Sequence, residues 1–182
     1  MSLVCPARRQ VLLGLSGVAV FSVIPSKIQA SRSAKGIRNL GFYSLHTGER
    51  SHGNYWINGD YQEGILSEFS HTLRDHRRNE SAPMDKRLYD LLFKLKASLN
   101  TENDFNVISG YRSPETNAIL ASKSHNVAKQ SYHVKGMAID IAIADVKLNH
   151  LREAAIALKL GGVGYYPRSG FIHVDTGPVR TW

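Results

Sequence analysis

An alternating strand with an acidic residue at its centre places the strongest constraint on how this chain folds. In residues 137–143 large apolar residues occupy every second position, and the positions between them hold Ala138, Asp140 and Ala142. Successive side chains of a strand point to opposite faces, so one face belongs to a core and the other carries the carboxylate between small residues. A carboxylate there is costly unless it is paired, solvated or bound to a metal. The alternative is an aspartate that caps a loop or meets an arginine.

A second short strand, residues 171–175, is built in the same way. Its two aliphatic residues share the core face, and the opposite face carries Phe171, His173 and Asp175. Residues two positions apart lie about 6.5–7 Å apart along a strand, so a histidine and a carboxylate stand over one surface. A lone strand histidine is more often structural than a ligand, but this one accompanies two strand carboxylates and a loop histidine, His133.

Three of these groups, His133, Asp140 and His173, suit a metal site. Two imidazoles and one carboxylate, with a fourth position left to water, are a common way of holding catalytic zinc. Zinc lowers the pKa of a bound water to near neutrality, so that this water becomes a nucleophile. The residue types and their placement therefore favour hydrolytic chemistry.

The other elements predict a single α+β domain. Short apolar or alternating runs indicate further strands. Leucines at helical spacing indicate one helix, and Ser113 followed by Pro114 is typical of the start of another. Asp85 is the expected N-cap of the clearest helix. We expect a small antiparallel sheet that carries the zinc site, with helices packed on one side. The predicted strands are 40–45, 53–57, 105–109, 137–143, 163–166 and 171–174, and the predicted helices are 65–77, 85–99, 113–121 and 148–160.

The first thirty residues have the pattern of an export signal. Arg8 and Arg9 precede an uncharged run of fourteen residues, 11–24, which is short for a membrane-spanning helix, and a small residue, Ala30, follows it. The adjacent arginines indicate the twin-arginine route to the periplasm. An ordinary secretory signal or an uncleaved anchor is the alternative. We therefore expect a signal at 1–30, a polar leader at 31–39 and the domain that carries the zinc site at 40–182, with no membrane span in the mature chain.

Removing the signal changes the charge and the cysteine content. The whole chain has a formal charge of +8, but residues 1–30 contain three basic residues and no acid, so the mature chain carries +5. The single cysteine, Cys5, leaves with the signal, which excludes a cysteine nucleophile. A positive charge indicates an anionic partner. Nucleic acid is a weak candidate because no basic helix or RNA-binding signature is present and the signal directs export.

The segment from Ser131 to Asp140 reads S-x-H-x-x-G-x-A-x-D without a break. This decamer resembles the zinc motif of D-Ala-D-Ala carboxypeptidases and vancomycin-resistance-type dipeptidases, a metallopeptidase group that includes murein endopeptidases. Residues 108–113 resemble the group's strand-then-arginine element, and residues 171–173 resemble the segment with its last ligand. The similarity is greatest to the family of murein endopeptidase K and covers the whole mature chain.

The resemblance implies roles for individual residues. One zinc ion would be bound by His133, Asp140 and His173. Arg112 would steady the developing oxyanion or hold a substrate carboxylate, because its planar fork matches carboxylate geometry. The alternative for Arg112 is a salt bridge to an aspartate that only organises the loop. Ser131 would bind substrate or support a ligand.

Four tyrosines lie near these motif elements in the sequence, namely Tyr111, Tyr132, Tyr165 and Tyr166. Tyr132 is a candidate for substrate binding, and residues 165–168 are a candidate wall of a groove for a peptide stem. The alternative is that these tyrosines are buried in the core, which is the commoner case.

The sequence departs from the family pattern at the proton-transferring group. Many relatives carry an acid or a histidine shortly before the last ligand, whereas residues 169–172 here are Ser-Gly-Phe-Ile, none of which is a base. Asp175 is the nearest acid and shares the face of His173. It acts either as the catalytic base or as the partner that orients the other ring nitrogen of His173.

The leading hypothesis is a periplasmic zinc endopeptidase that hydrolyses peptide cross-links of peptidoglycan during wall growth. Peptidoglycan stems carry carboxylates that suit a positive protein, and both D-Ala–diaminopimelate and diaminopimelate–diaminopimelate links present a carboxylate near the scissile bond. The alternative is a non-catalytic peptidoglycan-binding module with a structural zinc, which the missing upstream base favours. His125, in the polar loop before the motif, is a weaker candidate for substrate contact. The sequence leaves the type of cross-link and the oligomeric state open.

Overall fold

The computed structural model describes residues 36–123, 128 and 130–182. The predicted signal, most of the leader and His125 lie outside the described residues. Strand β1 begins at Ile37, inside the range expected for the leader, because its first residues pair with the end of β2. The strands are β1 (Ile37–Ser44), β2 (Arg50–Ile57), β3 (Asp60–Tyr61), β4 (Phe105–Ser109), β5 (Ala138–Ile143), β6 (Gly162–Tyr166), β7 (Phe171–Asp175) and β8 (Arg180–Thr181).

Three of the four α-helices lie within two residues of their predicted bounds, whereas the first ends five residues before its predicted end at residue 77. The helices are α1 (Glu63–Thr72), α2 (Lys86–Leu99), α3 (Pro114–Lys123) and α4 (Leu148–Leu158), and a 3-10 helix spans Tyr132–Lys135. Asp85 caps α2 as predicted, since its carboxylate accepts a hydrogen bond from the Arg87 backbone N–H at 2.9 Å. The hydroxyl of Ser113 likewise accepts from the Thr116 backbone N–H at 3.2 Å and caps α3.

One sheet contains all eight strands, in the order β3-β2-β1-β4-β5-β7-β6-β8. The α+β class and the single domain are confirmed, but the sheet is larger than predicted and is mixed. Strands β1 and β4 pair in parallel, with β2, β3, α1 and α2 forming the connection between them, and β6 and β8 also pair in parallel. The two-residue strands β3 and β8 are too short to show alternation in a sequence.

The hydrophobic core lies between the sheet and three helices. The ring of Phe42 in β1 contacts Phe69 of α1 edge-on, with 4.9 Å between centroids, and also contacts Tyr89 of α2. Helix α4 packs against α2 and against strands β5, β6 and β7. Ile139 and Ile141 of β5 are completely buried in this core. The predicted division of β5 into an apolar face and a face that carries Asp140 is therefore present.

The pairing of β5 with two neighbours assembles the site. Strand β7 pairs with β5 so that His173 lies directly opposite Asp140. On the other side, β4 pairs with β5 and its register shifts between Val107 and Ser109, which places Ser109 opposite Asp140. The 3-10 helix that precedes β5 carries His133. Side chains from three separate chain segments thus meet around one strand residue.

Candidate active site

The structure brings His133, Asp140 and His173 together as a buried cluster. The nearest carboxylate oxygen of Asp140 lies 2.9 Å from Nδ1 of His173 and 3.3 Å from Nε2 of His133. The two imidazole nitrogens lie 3.2 Å apart. All three ligand atoms lie within 4.8 Å of one another, and among the described residues this is the one group of at least three histidine, cysteine or acidic side chains arranged to hold a metal.

The spacing of these atoms fits tetrahedral coordination. Ligand atoms at about 2.0–2.1 Å from a tetrahedral zinc ion lie about 3.3 Å from one another. The three observed separations, 2.9, 3.2 and 3.3 Å, are close to that value. Three ligands leave one position of a tetrahedron open. The chemistry and geometry of this donor set therefore fit a divalent metal ion with room for one further ligand.

His133 is oriented by its surroundings for binding through Nε2. The Ser131 hydroxyl accepts a hydrogen bond from the His133 backbone N–H and caps the 3-10 helix, which Gly136 ends in a left-handed conformation at φ 65°. The other ring nitrogen, Nδ1, lies 2.7 Å from the carbonyl oxygen of Gly110 and donates to it. A carbonyl partner fixes the tautomer and leaves the Nε2 lone pair directed at the cluster.

The residue that supplies this carbonyl, Gly110, lies where there is no room for a side chain. A Cβ atom added there would lie 2.3 Å from the backbone oxygen of Leu73. The close approach also allows Tyr111 to donate its backbone N–H to that same oxygen at 2.7 Å. Packing of the β4 end against the end of α1 therefore sets the position of His133 indirectly.

His173 is oriented by Asp175, its neighbour on the same face of β7. Nε2 of His173 donates to the Asp175 carboxylate at 2.9 Å, and Nδ1 points at Asp140. Burial acts to lower the pKa of His173, but the hydrogen bonds to the two carboxylates raise it above its ordinary value. His173 and Asp175 lie on the same face of β7, as predicted, and their side chains are joined by a direct hydrogen bond.

Both oxygens of Asp175 already have several partners. One accepts from the backbone N–H groups of Gly162 and Gly177 and from Nη1 of Arg180, and the other accepts from His173 and from Nη2 of Arg180. Burial acts to raise the pKa of Asp175, but these donors hold it well below its ordinary value. The side chain is completely buried. Asp175 is thus an ionised carboxylate without solvent access.

Asp140 is also held in its ionised form. Burial acts to raise the pKa of this carboxyl, but the charge and the hydrogen bonds of His133 and His173 hold it below its ordinary value. Arg112 adds a more distant cation, with 3.9 Å between its Nη2 and the Asp140 carboxylate. An ionised carboxylate is the form that binds a metal.

Arg112 lies beside the cluster on the loop that connects β4 to α3. Its Nη groups donate weakly, at 3.3 Å, to the side chains of Ser109 and Asn117, and its backbone N–H donates to the carbonyl of His133. Burial lowers the pKa of Arg112 below its ordinary value. Its Nε is buried with no partner among the described residues. The loop itself is fixed by Asp75, whose carboxylate accepts from the backbone and hydroxyl of Ser113.

A cavity of about 680 Å³ opens over the cluster. All three candidate ligands line it, as do Arg112, Ser131 and Tyr132. Of the four tyrosines near these elements, Tyr132 and Tyr166 line the cavity, whereas Tyr111 and Tyr165 pack against the core. Phe171, Arg180 and Trp182 complete its aromatic and basic side.

Sequence reasoning missed three participants. The Gly110 carbonyl is a backbone group, so no side-chain pattern could indicate it. Arg180 begins the two-residue strand β8 at the sheet edge, and Trp182 directly follows it. A strand of two residues is too short to show an alternating pattern in the sequence. The signal that was available is the distance of Arg180 and Trp182 in sequence from Asp175, since five and seven residues allow a short turn to bring them back to its strand.

No helix in the described part of the chain is long and apolar enough to cross a membrane. Three of the four α-helices have eleven residues or fewer, and the longest, α2, has fourteen. A spanning helix needs about 20 apolar residues.

Comparisons with known proteins place the chain in a family. A family model described as peptidoglycan L,D-endopeptidase MepK matches residues 32–182. The peptidoglycan L,D-endopeptidase MepK of Escherichia coli (strain K12) is 42% identical over 177 residues, which cover 97% of each chain. The probable peptidoglycan L,D-endopeptidase MepK of Haemophilus influenzae is 42% identical over 172 residues, 93% of this chain and 92% of its own. The chain therefore belongs to the MepK family of metal-dependent peptidases.

Proposed function

We propose that this protein is a zinc-dependent endopeptidase that hydrolyses diaminopimelate–diaminopimelate cross-links of peptidoglycan. The observation that carries the proposal is the three-ligand cluster of His133, Asp140 and His173, which lies at the floor of an open cavity. Catalytic zinc sites keep a position for water or substrate, whereas structural sites are closed by four protein ligands. Family membership gives the substrate class.

Stereochemistry selects the cross-link. The relatives carry the name L,D-endopeptidase. A D-Ala–diaminopimelate link has its carbonyl on a D-centre, so its hydrolysis is a D,D reaction. A diaminopimelate–diaminopimelate link joins the carbonyl of an L-centre to an amine on a D-centre. We therefore assign the second link to this chain, and we place the protein in the periplasm, where that substrate is found.

The chain's own residues would act around the metal. When bound, zinc supplies a Lewis acid that polarises the scissile carbonyl and activates water. Arg112 lies beside Asp140 in a largely buried position, so its cation faces the place where negative charge develops on the carbonyl oxygen. A fixed cation in a site of low dielectric stabilises that charge without reorganisation. Ser131 supports His133 by capping its helix, and Tyr132 forms part of the cavity wall.

Asp175 would orient His173 rather than act as the base. Its oxygens accept from five groups, and it has no exposed surface from which to reach a substrate. Carboxylates bound to the far nitrogen of a ligand histidine commonly fix its ring and raise its basicity. The geometry favours this role over proton transfer at the substrate.

Asp175→Asn tests that assignment. We expect a loss of about 10- to 100-fold in zinc affinity, the usual effect of removing such a partner, with a parallel loss of activity at limiting zinc. Competition with a chromophoric chelator measures the affinity. Asp145→Asn, at an exposed aspartate after β5, is the matched control. A variant with unchanged zinc affinity and a much lower kcat at saturating zinc would instead identify Asp175 as the base.

The alternative, a peptidoglycan-binding module with a structural zinc, is less well supported. The cluster offers three ligand residues among the described part of the chain, one fewer than structural zinc requires. The sequence lacks the upstream base of many relatives, and that absence favoured this alternative. The open metal site is nevertheless complete without such a base.

Cleavage of defined dimers tests the proposed function. Purified mature protein with Zn²⁺ is incubated with one dimer linked through two diaminopimelates and one linked through D-Ala–diaminopimelate. Mass spectrometry should show monomers from the first dimer, none from the second, and none after chelation. Monomers from the D-Ala link alone would overturn the stereochemical assignment, and absence of any product would overturn the enzymatic one.

A further inference from the structure

Arg180 presents one edge of its guanidinium to Asp175 and leaves the other edge without a protein partner. Nη1 donates to one Asp175 oxygen at 3.0 Å and to the carbonyl of Pro178, and Nη2 donates to the second Asp175 oxygen at 2.7 Å. Arginine has five N–H groups. The remaining two, on Nε and Nη2, lie side by side, and no described residue accepts from them.

The position of Arg180 makes this edge available to a ligand. The side chain is 39% exposed and lines the same cavity as the metal ligands, whereas Asp175 lies fully buried behind it. Two parallel N–H groups on one edge of a guanidinium match the two oxygens of a carboxylate. Since Asp175 accepts two hydrogen bonds from the opposite edge, the guanidinium is held in place before any ligand arrives.

Two aromatic rings lie within cation–π distance of the guanidinium. Its Cζ lies 4.8 Å from the ring centre of Trp182 and 5.2 Å from that of Tyr132. Trp182 is itself fixed, because its indole N–H donates to the Tyr166 hydroxyl at 2.8 Å and its ring covers Gly164, where a Cβ would lie 2.6 Å from it. Cation–π contacts of this kind restrain an arginine side chain without using its N–H groups.

The two arginines of the cavity differ in what they can do. Arg112 is almost buried and lies 3.9 Å from Asp140, close to the metal position. Arg180 reaches the metal cluster only through Asp175 and His173, so its free edge lies farther from the reacting carbonyl. The cavity therefore offers one cation at the reacting centre and a second cation at its rim.

We propose that Arg180 is a specificity-determining residue that binds a substrate carboxylate through its Nε–Nη2 edge, with Trp182 beside the aliphatic chain of the same substrate residue. The inference rests on the proposed function. Its ligand is the carboxylate on the D-centre of the diaminopimelate that supplies the scissile nitrogen. The carbon of that carboxylate lies three bonds from the scissile carbonyl carbon, by way of the nitrogen and the D-centre, so one cavity accommodates both groups.

Substrates with and without this negative charge test the assignment. Two diaminopimelate-linked dimers are compared, one with the carboxylate free and one with it amidated. We expect wild-type protein to favour the free acid by about 10- to 100-fold in kcat/KM, as for hydrogen bonds to a charged group. Arg180→Gln should reduce this preference to less than about threefold. Arg168→Gln, at an exposed arginine in the β6–β7 turn, should retain it.

The preference, and not the activity, is the informative quantity, because Arg180 also holds Asp175. A purely structural role would lower the cleavage of both dimers equally, leave their ratio unchanged and overturn the proposal. Equal cleavage of both dimers by wild type would do the same, as would a preference lost in Arg112→Gln but kept in Arg180→Gln.

A binding measurement separates this inference from the proposed function. Titration calorimetry on zinc-loaded protein, with dimers whose scissile amide is replaced by a non-hydrolysable isostere, gives the Kd of each dimer without turnover, and the same 10- to 100-fold preference is expected there. Preferential binding that depends on Arg180 without any hydrolysis by the zinc-loaded protein would contradict the proposed function and leave the carboxylate site standing. Equal binding of the two dimers would overturn the site.

Discussion

His133→Ala is expected to abolish cross-link hydrolysis and to remove most of the stabilisation that zinc gives to the fold. Nε2 of His133 lies within 3.3 Å of both other ligand atoms, so its loss leaves two ligands where catalytic zinc needs three. Removing a partner of a ligand costs about 10- to 100-fold, and removing the ligand itself should exceed about 100-fold. Cleavage of the diaminopimelate-linked dimer at several zinc concentrations measures the effect.

Zinc-dependent thermal unfolding gives a second measurement that does not depend on substrate. Free zinc at about 1,000 times its Kd stabilises the folded state by about 4 kcal/mol. For a domain of this size that corresponds to a rise in Tm of roughly 8–16 °C. The rise should be almost absent in His133→Ala, with each variant compared with itself in chelator. His150→Ala, at an exposed histidine of α4, is the control and should keep the full rise.

Retention of the full zinc-dependent rise in Tm by His133→Ala would place the metal elsewhere. Loss of hydrolysis together with an unchanged rise would likewise separate the metal site from the activity and revive the binding-module alternative. The two measurements therefore test ligation and catalysis independently.

Which face of its strand each candidate ligand of β5 and β7 occupies was predictable from the sequence, because the alternation of side chains along a strand does not depend on the neighbouring strands. The face of β5 that carries Asp140 and the face of β7 that carries His173 follow from the two-residue period of a strand. Their exact pairing does not follow, since which strands lie side by side and in what register depends on the whole sheet. The observed register sets Asp140 opposite His173, and only the structure shows it.

Features that depend on backbone groups or short turns were not predictable. Helix α1 was expected to reach residue 77 but ends at Thr72. The carbonyl of Leu73 accepts a hydrogen bond from the Tyr111 N–H, and Asp75 bonds to Glu80 through its backbone and to Ser113 through its carboxylate, so these groups do not continue the helix. The 3-10 helix lies in a segment too polar to predict as an element. It forms because its ends are capped by Ser131 and Gly136.

Arg112→Ala is expected to lower kcat by about 10²- to 10³-fold with little change in KM, the effect of removing one donor to a developing oxyanion. The guanidinium lies 3.9 Å from Asp140 and has only weak hydrogen bonds to neighbouring side chains, so it is available to the reacting centre. Arg112→Lys should recover little of this loss, because a single ammonium lacks the planar fork of arginine. Steady-state kinetics on the diaminopimelate-linked dimer measures both parameters.

Zinc affinity decides between this role and the alternative in which Arg112 only organises its loop. The loop is already fixed by backbone bonds from Tyr111 and by Asp75, neither of which involves the guanidinium, so the metal site should survive the substitution. Arg77→Ala, at an exposed arginine of the preceding loop, is the charge-matched control and should leave kcat unchanged. A parallel fall in zinc affinity and kcat would assign Arg112 to loop structure, and a rise in KM at constant kcat would make it a ground-state substrate contact. A fall in kcat alone identifies it as the cation that stabilises the transition state, since only an interaction that strengthens as charge develops on the carbonyl changes kcat by itself.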